Sequence, residues 1–257
     1  MKTTILSFAV ALAIAIGGTT TALADNRADA YARQGDQSFR AGDYANAVAA
    51  YKKALALDPK RGLVYYGLAL CYHQQQQWQL AVDNWKQARA LLKPEGAMLL
   101  TMGVDYYHLK KYDDALHTFQ DVIAIRTPDL DQAMANYWTG VIYNTMGQPE
   151  RALPPLRQAI NLKPDDADFF FELGAALSGV KQYGDAATSY KDAVRLRPGF
   201  ALAYYNLGLV YLALHRTSDA EQACDKLQTL DKPKADELRS KLPAAAAEQK
   251  NQAKGTD

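Results

Sequence analysis

Apolar residues recur along this chain in blocks with helical rather than strand spacing. Within 167–198, Phe170, Leu173, Gly174 and Leu177 fall at i, i+3, i+4 and i+7. Ala186, Tyr190 and Ala193 resume that spacing after the break Gln182-Tyr183-Gly184-Asp185. The pattern predicts a helix, a turn and a second helix. Each helix carries one apolar stripe, and a pair this short cannot cover both, so the unit needs neighbours of its own kind.

The same pattern recurs through most of the chain. The alanine that opens the second helix recurs as Ala47, Ala81, Ala115, Ala152, Ala186 and Ala220, at spacings of 34, 34, 37, 34 and 34 residues. Four residues after each stands Tyr51, Trp85, Phe119, Leu156, Tyr190 or Cys224. Twelve residues before each stands Gly35, Ala69, Gly103, Gly140, Gly174 or Gly208, and a proline (Pro59, Pro94, Pro128, Pro164, Pro198, Pro233) closes each second helix. The small residue lets two helices approach, the large one fills the gap between them, and proline cannot continue a helix.

With this spacing the chain resembles the tetratricopeptide repeat family, whose pattern W-x2-L-G-x2-Y…A-x3-F…P has a period of about 34 residues. Tyr204, Leu207, Gly208 and Tyr211 carry its first half, and Tyr183, Ala186, Tyr190, Ala193 and Pro198 its second. The resemblance implies an all-α fold, a right-handed α-solenoid of six helix-turn-helix units at approximately 28–61, 62–95, 96–132, 133–166, 167–200 and 201–234. Residues 235–242 then read as an amphipathic capping helix over the last unit. Residues 243–257 contain no apolar side chain larger than alanine, and a disordered tail is expected there. Two departures stand out. Three extra residues near Thr127-Pro128-Asp129-Leu130 suggest a change of pitch, and Pro154-Pro155 inside a second helix should bend it.

The N-terminus reads as an export signal at 1–24: Lys2, the uncharged run Ile5–Ile16 and the A-x-A site Ala22-Leu23-Ala24. Twelve apolar residues are too few to span a bilayer, which takes about 20. No other long apolar stretch follows, so a periplasmic or secreted protein without membrane insertion is expected. Of the 29 Lys and Arg only Lys2 precedes residue 25, so the remainder carries equal numbers of acids and bases. That balance argues against nucleic acid, which selects clustered positive charge. Cys71 and Cys224 fall four units apart, too far for a disulfide.

No catalytic or cofactor motif is present, and an enzyme is not expected. His73 and His108 occupy neighbouring first helices without a third ligand, so neither metal nor cofactor is expected. Asp113-Asp114 and Asp165-Asp166 lie at helix starts, where negative charge suits the macrodipole.

In a stack resembling this family the first helices line a concave surface. The position after the structural aromatic points into it: Ala32, Tyr66, Leu100, Tyr137, Phe171 and Tyr205. Seven residues on come Phe39, His73, Tyr107, Asn144, Ser178 and Leu212. The family's two-carboxylate clamp for chaperone C-termini is absent, its positions being Ala32, Asp36, Gly67, Ala97 and Thr101. The expected function is a non-catalytic scaffold for a protein or peptide segment in an aromatic groove. The alternative is a subunit of a homo-oligomer or an envelope assembly.

Overall fold

The computed structural model of the chain describes residues 22–125 and 128–242, with side chains from residue 26 onward. The expected leader falls almost wholly outside these residues, and the expected tail falls wholly outside them. The chain divides into two compact units, the first ending at Thr127 and the second starting at Pro128.

Unit 1 holds α1 (Ala22–Arg40), α2 (Tyr44–Leu57), α3 (Gly62–Gln74), α4 (Trp78–Leu91), α5 (Gly96–His108) and α6 (Tyr112–Ala124). Unit 2 holds α7 (Asp129–Thr145), α8 (Pro149–Leu162), α9 (Ala167–Gly179), α10 (Tyr183–Leu196), α11 (Ala201–Ala213), α12 (Thr217–Leu230) and α13, residues 232–242. Every described element is helical, as the hydrophobic spacing predicts.

Helices pack as successive antiparallel pairs, α1 with α2 through α11 with α12, and each second helix also meets the next first helix of its own unit. Direct contacts further join α1 to α3 and α3 to α5 in unit 1, and α7 to α9 and α9 to α11 in unit 2. Among the described residues no two second helices meet to that extent. First helices therefore converge on one face of each unit, and the second helices splay on the other.

The small-residue positions work by shape. A methyl added at Gly103 would stand 2.5 Å from the Phe119 ring, and one at Gly174 would stand 2.8 Å from Tyr190. Trp85, Phe119, Leu156 and Tyr190 fill these gaps and are at most 2% exposed. Burial of each such side chain contributes about 2–3 kcal/mol. The last pair differs, because Cys224 is too short to reach Gly208. Leu238 of α13 fills that place instead, fully buried with Ala235 beside Cys224 and Leu227.

Turns within the pairs share one device that the sequence spacing did not single out. Gly42, Gln76, Lys110, Gly147, Lys181 and His215, each five residues before the alanine that opens a second helix, all have positive φ, from 57° to 76°. The amide of the following residue bonds back to the carbonyl five before it, for example Gln182 N to Leu177 O at 2.8 Å. This is a helix ending of the Schellman type, which suits glycine and strains other residues.

The three extra residues before Ala152 form no added loop among the described residues. α7 has 17 residues where α3, α5, α9 and α11 have 13, so the insertion becomes one more turn at its start. α8 runs as one helix through Pro154 and Pro155. Cys71 and Cys224 are free and buried, on α3 and α12.

Candidate functional site

The residues expected to bind a partner lie on the first helices, and each unit holds its own set differently. In unit 1, α3 presents Tyr66, half-buried and edge-on to Trp85 at 5.0 Å, with its hydroxyl pKa raised by burial and by Glu95. Leu100 of α5 is half-buried. At the far ends of the first helices, Phe39 leans on Tyr44 at 5.5 Å and Tyr107 on Tyr112 at 6.0 Å.

His73 is held most firmly. Its Nδ1 lies 2.6 Å from Asp105 Oδ1, while Trp85 Nε1 donates to Asp105 Oδ2 at 2.8 Å. Asp105 is fully buried, so two donors from α3 and α4 hold a carboxylate of α5 out of water. The indole of Trp78 lies edge-on to His73 at 5.5 Å and stacks on His108 at 4.3 Å. Burial lowers the His108 pKa, Asp105 opposes this, and His73 adds to it. His73 and His108 thus flank one indole. Among the described residues no three His, Cys, Asp or Glu side chains cluster as metal ligands.

In unit 2 the equivalent residues are partly scaffold. Tyr137 stacks on Phe169 at 4.9 Å, and Phe171 packs on Phe200 at 4.8 Å and on Tyr190 at 5.7 Å. Phe171 follows the structural aromatic Phe170, at a position expected to point into the concave surface. In the structure its ring covers the apolar cluster of this unit while part of it stays open to solvent. Tyr205 donates its hydroxyl to Glu237 of α13, which Lys241 also binds at 3.0 Å. The capping helix thus engages this candidate residue directly. Ser178 and Leu212 are half-buried.

Asn144 is committed to α9. Its Nδ2 donates to the main-chain oxygen of Glu172 at 3.0 Å and to Glu172 Oε2 at 2.8 Å. Burial raises the Glu172 pKa, Asn144 opposes the rise and Asp168 adds to it. Glu172 and Asp105 are site residues that the apolar spacing missed. Both stand inside apolar runs, Phe-Phe-Phe-Glu-Leu and Gly-Val-Asp-Tyr-Tyr. A carboxylate interrupting such a run was the available signal.

Paired helices stacked with their first members on one face define a helical-repeat binding protein. Family models described as TPR repeat or tetratricopeptide repeat match residues 35–76 and 181–214, 100–167, and 201–233, together more than half of the chain. The chain belongs to the tetratricopeptide repeat family, whose repeats mediate protein–protein interactions.

Among its relatives, the Hsp70-Hsp90 organizing protein of Triticum aestivum is 26% identical over 209 residues, 77% of this chain and 34% of that protein. The peroxisomal targeting signal receptor of Candida albicans is 23% identical over 191 residues, 72% of this chain and 32% of that protein. The chain thus spans about a third of each. The crystal structure of PilW, a type IV pilus biogenesis factor, shares the fold with TM-score 0.68 and 21% identity, covering 84% of this chain and 98% of that one. No described helix is long and apolar enough to cross a membrane.

Proposed function

We propose that this protein is a non-catalytic scaffold of six repeats that holds a peptide segment of a partner protein against the converging first helices. It would act in the cell envelope after removal of residues 1–24. The observation that carries this reading is the α7–α9–α11 face, where aromatic and polar side chains stay half-open beside a closed apolar core. Large rings held by packing give contact area at little further entropy cost. The exported address rests on the Lys2, Ile5–Ile16 and Ala22-Leu23-Ala24 pattern, and likeness to a pilus biogenesis factor is in keeping with it.

Selection of displayed peptides on the purified chain tests the groove. The wild type should enrich peptides, while Tyr137→Ala with Phe171→Ala, and separately Ala175→Glu, should lose them while circular dichroism stays helical. Ala175 lies one turn beyond Phe171 on the same side of α9, so its variant blocks the face without removing packing. Equal enrichment by all three folded proteins would refute the reading. The second reading, an assembly subunit, predicts a mass in light scattering that rises with concentration.

A further inference from the structure

We propose that the α7–α9 face of unit 2 takes a segment bearing a lysine or arginine side chain, with Glu172 as the acidic receptor for its charge. The inference rests on the groove reading above and names the chemistry of its occupant.

Several acids of unit 2 have basic partners: Asp168 receives two bonds from Arg197 at 2.9 and 2.7 Å, Asp166 meets Lys163 at 3.1 Å, and Asp225 meets Arg239 at 3.0 Å. Asp131, in the first turn of α7, has its pKa raised by burial and forms no ion pair with a described residue. Glu172 forms no ion pair with any described residue, and its resident donor is the neutral amide of Asn144, bound to Oε2 at 2.8 Å. Oε1 takes no hydrogen bond from the described residues. A carboxylate drawn out of water without a counter-charge costs stability, and an apolar or amide side chain would fit such a place more cheaply. Asn144 also holds the Glu172 main chain, so α7 fixes the direction of the carboxylate before anything binds. A preset carboxylate with one oxygen free of hydrogen bonds from the described residues, on the helix that also carries Phe171, suits a cation on an apolar stem, which is a lysine or arginine side chain.

Arg197 does not take this role, because it is tied to Asp168 and lies 4.5 Å over the Phe200 ring. The counter-charge would come from outside the chain.

The test is peptide selection on wild type and on Glu172→Gln, a variant whose amide oxygen accepts the same bond from Asn144. Wild type should enrich peptides with one lysine or arginine flanked by apolar residues, and Glu172→Gln should enrich peptides without it. A synthetic peptide from the wild-type pool and its norleucine analogue then complete a cycle. Replacing lysine by norleucine should weaken binding to wild type about tenfold and leave binding to Glu172→Gln unchanged. Peptides without a basic position, or a norleucine penalty equal in both proteins, would overturn this inference and leave the groove standing. Selection of no peptide at all would overturn both.

Discussion

Two acids placed among apolar neighbours, Asp105 and Glu172, behave differently. Asp105 is fully buried and is held by Trp85 and His73. Trp85→Phe removes the Nε1 donor together with the half of the ring that carries it. Loss of one bond to a buried charge should cost about 2 kcal/mol, read as a lower urea midpoint. Glu172 has a pKa raised above 4.5, chiefly by burial. A raised folded pKa means that the stability it contributes is full below the unfolded value and is lost as pH rises through the folded value. Glu172→Gln removes that dependence, so its advantage over wild type in urea should widen from pH 4 to pH 7. A gap that narrows over that range would show that Asn144 more than offsets the burial.

The helices were legible because their apolar period is set by local geometry, and so were the breaks between them. The way each pair turns was not. Gln76, Lys110, Lys181 and His215 occupy left-handed positions where Gly42 and Gly147 stand in the other pairs. No local pattern demands that conformation of a lysine; packing of the two helices imposes it. Lys181 is exposed, so Lys181→Gly relieves strain without removing packing. The expected gain is about 0.5–1 kcal/mol, seen as a raised urea midpoint. The inserted residues were legible as a break in spacing, whereas their fate as an extra turn of α7 depended on contacts made after folding. Likewise the partners of Asp105 and Glu172 lie on other helices, up to 32 residues away, and only the stacked helices bring them together.

Within each unit, stability passes from neighbour to neighbour, and the last pair depends on α13. Leu238 takes the place that a large side chain of the second helix takes over the facing glycine in four other pairs. Leu238→Ala should therefore cost about 2–4 kcal/mol by thermal unfolding, whereas Leu230→Ala, at a position 41% exposed, should cost under about 0.5. The apolar face of the final pair was legible in the sequence. The engagement of Tyr205 by Glu237 was not, because it follows from where the cap sits. On the proposed reading, that engagement leaves Tyr137, Phe171 and Glu172 as the part of unit 2 that meets a partner. The most direct measurement of this claim is photo-crosslinking in living cells, with an aromatic photoreactive residue at Phe171 or at exposed Lys191 on the second helix of the same pair. A discrete crosslinked protein from position 171 and none from position 191 is the predicted result. A partner trapped from position 191 alone would contradict the account and move the binding surface to the outer helices.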